Sequence, residues 1–301
     1  MTDSPAILLN NVSKNFRDVD AVRDLSFEVK QGSTFGLLGP NGAGKTTSIR
    51  MIVNILAPDS GYIRVLGEPA SARLKRRIGY LPEERGLYKE MKVGELLLFF
   101  ATIKGMEPPD AKRRIDDWLA KLQLSDWKNK KASELSKGMA QKIQFILAVL
   151  HEPELLILDE PFSGFDPVNV RLLKNIVGDL KQRGTTIVFS THQMEQVEQL
   201  CDDICLLNKG KKVLGGNLRE IKRNFGPRAV KLDYQGPDGF LDSPMVKSLT
   251  RFPTCVEVRL NDGADGQELL QSALAAGARI NRFELVDTSL DDIFVSTVEN
   301  S

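Results

Sequence analysis

The 301-residue sequence is poor in cysteine, in net charge and in long apolar stretches. Its three cysteines, Cys201, Cys205 and Cys255, make neither an even disulfide set nor the spacing of a metal cluster, which fits a reducing compartment. Lys and Arg number 41 against 40 Asp and Glu, so no global field gathers nucleic acid or anionic lipid. Purely apolar runs reach only six residues, as in Leu96 to Ala101, far below the roughly 20 that a membrane helix needs. The opening MTDSPAILLN has neither the basic nor the apolar region of a secretory signal. Any membrane role is therefore expected to be borrowed from another chain. Internal repeats and low-complexity tracts are absent too. What remains is an ordinary globular composition, 42% hydrophobic and 27% charged, with length for one large domain and one small one.

Hydrophobic periodicity divides the chain. Leu25, Phe27 and Val29 alternate with Ser26, Glu28 and Lys30, the period of a half-buried strand. Thr34 to Leu38 reads as a fully buried strand and Ile78 to Leu81 as another short one. From about Gly86 to Lys131 the period becomes helical. After Ser136 a helix is predicted with Met139, Ile143, Ile146, Leu147 and Leu150 on one stripe. Buried strands at Leu155 to Leu158 and Thr185 to Ser190, alternating with helices, predict a mostly parallel sheet covered on both faces. Beyond Asn217 the pattern restarts as an α+β appendage with strands VKLDY, VEVRL and RFELVD and helices QELLQSALAAG and SLDDIFVSTVE. Ser289 with Asp292 is expected to cap the last of these. The apolar face Leu290, Ile293 and Phe294 either docks on something or closes the appendage's own core. The expected domains are 1–217, with a helical insert over about 86–150, and 218–301.

Two motifs carry chemistry. Gly39-Pro40-Asn41-Gly42-Ala43-Gly44-Lys45-Thr46 matches G-x-x-x-x-G-K-[ST] and follows a buried strand. Polyphosphate needs many backbone N–H donors at close range. Glycine lets the loop turn tightly, and the helix that opens at its end adds the positive end of its dipole. Lys45 is expected to reach the β- and γ-phosphates of ATP, and the Thr46 hydroxyl to ligate Mg2+. The second motif, LLILDE, delivers Asp159 and Glu160 at the carboxyl end of a central strand, where open α/β sheets bind ligands. Asp159 suits the magnesium shell, and Glu160 suits activating the attacking water. His192, following the buried strand IVFST at the same sheet edge, suits sensing the γ-phosphate.

With these motifs in place the chain resembles the ATP-binding-cassette (ABC) ATPases from about residue 6 to 216. LSKGM (Leu135 to Met139) resembles the signature motif, SGFD (Ser163 to Asp166) the D-loop, His192 in STHQ the switch histidine, and Phe16 in VSKNF the aromatic that stacks on adenine. Single-cassette subunits of bacterial sodium or drug export systems are similar, with a small C-terminal domain that often ends in a SLDDIF-like segment. The resemblance implies a P-loop NTPase α/β fold: a mostly parallel core sheet, an N-terminal antiparallel β-subdomain, a helical insert and a small C-terminal α+β domain. It implies ATP contacts from Phe16, Gly39, Pro40, Asn41, Gly42, Ala43, Gly44, Lys45, Thr46, Thr47, Glu83, Ser136 and Gly138, metal ligands Thr46, Asp159 and Glu83, and catalysis by Lys45, Glu160 and His192. It further implies an ATP-bound head-to-tail homodimer in which Ser136 and Gly138 close over the partner's γ-phosphate. Its docking partner would be a separate transmembrane permease, with this chain peripheral on the cytoplasmic side of the inner membrane, and no nucleic acid is expected. The alternative is a soluble ABC-type ATPase acting on ribosomes or nucleic acid, which usually pairs two cassettes or carries a long coiled-coil insert, neither visible here.

Two positions depart from the family pattern. Glu83 in LPEERGLY stands where the family has Gln. A carboxylate also ligates magnesium but adds charge beside the γ-phosphate. The alternative is a solvated Glu83, with Glu84 or Arg85 acting instead. In the signature, Lys137 and Met139 replace Gly and Gln. Lys137 is either an additional phosphate contact or a helix-start charge pointing to water, and the second is favoured because lysine there opposes the dipole. His151 is expected to be a capping or surface residue, and Cys201 and Cys205 to belong to the core. The runs RLKRR, KNKK and KGKK are expected to be solvated faces.

Overall fold

Alternation at the start of the chain becomes an antiparallel hairpin of β1 (Ile7–Phe16) and β2 (Val19–Val29). Leu25, Phe27 and Val29 are buried while Glu28 and Lys30 face solvent, as the period of two requires. The chain then crosses to β3 (Thr34–Leu38) and α1 (Lys45–Ile52) and returns as β4 (Ser60–Val65) and β5 (Glu68–Pro69), completing a sheet of order β2-β1-β4-β5. Phe27 stacks on Phe35 at 5.2 Å and so ties this sheet to β3. The computed structural model describes residues 4–17, 19–83, 86–261 and 263–299. Glu84 and Arg85, the alternatives to Glu83, lie outside them.

β6 (Ile78–Leu81) leads to the insert, made of α2 (Val93–Ile103), α3 (Pro108–Lys121) and α4 (Lys137–Val149). The second half of the sheet follows as β7 (Leu155–Asp159), α5 (Pro167–Gln182), β8 (Thr186–Thr191), α6 (Met194–Leu200), β9 (Asp203–Asn208) and β10 (Lys211–Asn217). The six strands lie in the order β10-β9-β3-β8-β7-β6, and the pairs from β9 to β6 are parallel. Every residue of β3, β7 and β8 is buried, which is why these segments read as apolar runs rather than alternations. This order brings the loops after β3, β7 and β8 side by side at one edge, so residues over a hundred positions apart share a crevice.

The single stripe expected for α4 is corrected. Ile143, Ile146 and Leu150 are buried as read, but Met139 and Leu147 are only half-buried, while Gln141, Gln144, Phe145, Ala148 and Val149 are also buried. The helix packs against both α2 and β6, and Trp118 of α3 meets Phe145 edge-on at 6.4 Å. A helix covered on several sides has no single apolar face to show in its sequence.

His151 is corrected as well. It is neither a cap nor a surface residue. It is half-buried, with Nε2 3.1 Å from the Ile78 carbonyl and Nδ1 buried without a hydrogen-bond partner among the described residues. The acceptor fixes the proton on Nε2. Lys104, at the end of α2, donates to the carbonyls of Lys75 and Ile78, placing a cation beside the imidazole. Burial first, and then the Lys104 charge, pull the His151 pKa from 6.5 to about 4. Between those values the unfolded chain holds a proton that the folded chain does not, so folding stability falls as pH drops through that window. His151→Gln is expected to flatten the slope, by as much as ~2 kcal/mol between pH 7 and 4.5. Urea midpoints of both proteins at the two pH values check this, and parallel losses would contradict it.

Contacts separate the chain into two units, Met1–Gly216 and Asn217–Ser301. The second contains α7 (Leu218–Phe225), β11 (Pro227–Gln235), β12 (Val246–Arg251), β13 (Val256–Leu260), α8 (Gly266–Ala275), β14 (Arg279–Asp287) and α9 (Leu290–Glu299). Its antiparallel sheet has the order β12-β13-β11-β14. Val230, Leu232, Val256, Val258 and Leu260 of that sheet pack with Leu269 and Ala273 of α8. Ser289 caps α9 as expected: Asp292 N donates to its hydroxyl, which donates in turn to the Asp292 carboxylate at 2.7 Å. Leu290 and Ile293 are buried and Phe294 is half-buried. α7 and β12 are elements the sequence does not announce. α7 is only two turns long, though Leu218, Ile221 and Phe225 fall at helical spacing, and β12 leaves all but its first residue exposed, so it shows no alternation.

Candidate functional site

The loop from Gly39 to Gly44 joins the end of β3 to the first turn of α1. Gly39, Gly42 and Gly44 all have positive φ, at 144°, 80° and 103°. At Gly44 a side chain is excluded twice over, because a Cβ would also lie 2.5 Å from the Ala21 carbonyl. Lys45 is 7% exposed, and its ammonium donates to the Gly39 and Pro40 carbonyls at 2.7 and 3.2 Å. Burial lowers its pKa, opposed by the charges of Glu160, Asp159 and Glu83. The pull of those three carboxylates on one ammonium places all of them around the loop.

Asp159 closes β7 and is fully buried. Ser190, at the same level of β8, donates to its Oδ1. Burial raises the Asp159 pKa, the Ser190 and Thr46 hydroxyls lower it, and Glu160 raises it again. Its Oδ2 has no hydrogen-bond partner of sound geometry among the described residues. A buried carboxylate oxygen left in that state is costly unless a cation completes it. Thr46 brings a hydroxyl to this carboxylate, and Glu83 lines the same cavity as the loop Asn41 to Thr47 and Glu160. Hard oxygen donors of this kind suit Mg2+, which keeps water and phosphate ligands and needs only one or two protein carboxylates.

Glu160 has φ 47°, a left-handed conformation unusual for this residue type, pinned by its N–H donating to the Ser190 carbonyl at 3.1 Å. Its Oε1 accepts from the backbone N–H of His192 at 3.1 Å and lies 2.9 Å from His192 Nδ1, while the Thr191 hydroxyl reaches Oε2 at 3.3 Å. A carboxylate accepts, so Nδ1 carries the proton and Nε2 of the half-exposed ring points away from Glu160. The strand ends thus hold a carboxylate aimed over the phosphate loop and an imidazole that orients it.

The sequence-predicted residues fall into two groups. The loop residues from Asn41 to Thr47, Glu83 and Glu160 share one cavity. Asp159 and His192 bond into its margin. Ser136 and Gly138 do not join it: Ser136 is the exposed N-cap of α4, accepting from Met139 N at 3.3 Å, and a Cβ on Gly138 would meet nothing within 4 Å. Phe16 ends β1 at 45% exposure, with the Lys14 ammonium 5.7 Å from its ring. Lys137 is exposed. Cys205 is fully buried and Cys201 half-buried, and burial pushes the Cys205 thiol up to about 12, so both are core residues. Sequence reasoning missed Ser190 and Thr191. Their signal was two hydroxyls at the end of an otherwise apolar strand.

Comparison with known proteins places these motifs in a wider set. The ABC transporter family model matches residues 22–163, and the model for the C-terminal domain of DrrA1-3-like ATP-binding proteins matches residues 216–298. The chain is 46% identical over 293 residues to the ABC transporter ATP-binding protein YhaQ of Bacillus subtilis, covering 97% of this chain and 98% of that one. It is 36% identical over 289 residues to the Nod factor export ATP-binding protein I of Rhizobium etli, covering 88% and 89%. A solved ATP-binding subunit of an ABC transporter superposes with TM-score 0.69 at 32% identity, covering 73% of this chain and 93% of that structure.

Proposed function

The chain belongs to the ABC transporter ATP-binding family, and from that premise we propose that it is the motor of an exporter, hydrolysing ATP in a homodimer to drive a separate membrane permease. The carrying observation is the split within the site. The loop residues Asn41 to Thr47 and Glu160 line one cavity, with Asp159 at its margin, while exposed Ser136 and half-buried Gly138 do not line it. Nucleotide bound on the loop is thus left open on the side that the signature residues would cover, and a second copy supplies them.

The roles follow from the geometry. Backbone N–H groups of the loop and the α1 dipole hold the phosphates. Two of the three Lys45 N–H donors are committed to carbonyls, and the third takes a β- or γ-phosphate oxygen. Thr46 and Asp159 would hold Mg2+, with Glu83 at the cavity's rim, and the ion would supply charge neutralisation to the phosphates. Glu160 accepts the proton of the attacking water, and His192 keeps that carboxylate aimed. Phe16 offers adenine an exposed ring face.

Support for a permease comes from the insert. Tyr88, Phe99 and Ile103 are exposed, and Phe100 joins Tyr88 at 6.1 Å and Phe99 at 5.5 Å, so an aromatic patch lies a few residues from the Glu83 loop. No helix among the described residues is long and apolar enough to cross a membrane. A peripheral position on the cytoplasmic face of the inner membrane is part of the same proposal and rests on the permease partner. Export is supported by the exporter relative named above and by the C-terminal unit, which we read as an accessory domain.

Glu83 lines the nucleotide cavity and stands a few residues before Tyr88 of that patch in sequence, so its carboxylate is proposed to report metal occupancy to the permease. Wild-type ATPase is expected to rise severalfold on reconstitution with the cognate membrane protein. Glu83→Gln is expected to blunt that rise or to shift the Mg2+ and Mn2+ activation curves. No stimulation of the wild type would overturn the transporter reading. Superimposable curves and equal stimulation would reduce Glu83 to a loop residue.

A further inference from the structure

Gln141, one turn into α4, is 6% exposed. Its Nε2 donates to the Ser163 carbonyl at 2.8 Å, whereas its Oε1 is buried with no hydrogen-bond partner among the described residues. A buried amide with one end unmet is less favourable for folding than an apolar side chain of the same shape. Its presence therefore points to a role other than stability.

The contact continues toward the catalytic carboxylate. Ser163 N donates to the carbonyl of Glu160 at 3.3 Å, closing the turn that follows β7. Gly164, at φ 80°, lies directly under the first turn of α4: a Cβ there would stand 3.3 Å from Gln141 Nε2 and 3.8 Å from Lys137 Cε. A side chain there would be strained by the positive φ and tight against the Gln141 amide, so glycine suits the close approach. Ser136, Gln141, Ser163 and Glu160 are thus joined within one chain by a helix turn and two hydrogen bonds.

We propose that Gln141 is a positioning residue that couples the two nucleotide sites of the ATP-bound dimer. The inference rests on the head-to-tail arrangement proposed above. There Ser136 closes over the partner's ATP while Glu160 of the same chain activates the water that attacks its own. A shift of α4 when Ser136 engages the partner's nucleotide pulls the Ser163 carbonyl through Gln141, and with it the backbone that carries Glu160. Each site is then primed only when the other is filled. Lys137 packs its aliphatic stem along the same joint and leaves its charge to solvent.

Gln141→Met removes the donor at nearly constant length and volume, and Gln141→Leu serves as a second apolar variant if the first does not fold. ATP-dependent turnover, its Hill coefficient, ATP affinity and melting temperature are measured for wild type and variant, with ATP-dependent dimerisation measured in Glu160→Gln. Melting temperature and ATP affinity are expected to stay at or above the wild-type level. Turnover number is expected to fall roughly 5-fold or more and the Hill coefficient to move from above 1 toward 1, with half-saturating ATP little changed. A merely structural glutamine would instead lower the melting temperature and leave the Hill coefficient alone. Wild-type turnover and cooperativity in a folded variant, alongside an intact ATP-dependent dimer, would overturn the coupling and leave the dimer standing. A non-cooperative wild type whose Glu160→Gln form stays monomeric would overturn both.

Discussion

Glu160→Gln is expected to bind ATP as tightly as the wild type and to turn it over at least ~10²-fold more slowly, about 2.7 kcal/mol in the barrier. The substitution is nearly isosteric, so the backbone at φ 47° and the N–H bond to Ser190 have no reason to move. What changes is that an amide cannot take the proton of the attacking water. The His192 N–H groups that now point at a carboxylate still meet an oxygen, so the ring need not reorient. Binding is spared because the phosphate contacts come from the loop and Lys45. Steady-state phosphate release together with equilibrium ATP titration checks both halves. Turnover within a few-fold of wild type would remove Glu160 from the chemistry.

Lys45→Ala is expected to fail at the earlier step. Lys45 is the cation among Glu160, Asp159 and Glu83, and each of the three contributes to its electrostatics. Its loss takes away a charge-assisted bond to phosphate and also leaves those carboxylates facing a polyanion uncompensated. An affinity loss of at least ~10²-fold, roughly 2.7 kcal/mol, follows. The fold is expected to survive, since burial already disfavours the charged lysine. Titration calorimetry with ATP, paired with a thermal melt of the nucleotide-free protein, reads the two effects apart. A dissociation constant within twofold of wild type would contradict the role.

The site is more legible in the sequence than the packing around it. Gly39 to Thr46 and Leu155 to Glu160 announce themselves because the chemistry demands particular residue types at fixed spacing after a fully buried strand, and the parallel sheet makes those strands uniformly apolar. Resemblance extends this to His192, which the structure sets 2.9 Å from Glu160. Tertiary context is where the sequence falls silent. His151 looks like a helix-end residue until β6 and Lys104 close over it. α4 looks amphipathic until α2 and β6 cover its other sides. Gln141 and Gln144 stand outside the apolar stripe expected for α4, yet both are buried. Ser190 and Thr191 gain their meaning only because β8 lies beside β7, a neighbour relation no local pattern encodes.

The account turns on a second copy closing the site, and the most direct measurement is the mass of Glu160→Gln in solution with and without ATP, by size-exclusion chromatography with light scattering. The predicted result is a 33.5 kDa particle without nucleotide and one of twice that mass with Mg-ATP, returning to the smaller when Ser136 is also changed to a bulky residue. A particle that remains at 33.5 kDa while ATP is demonstrably bound would contradict it.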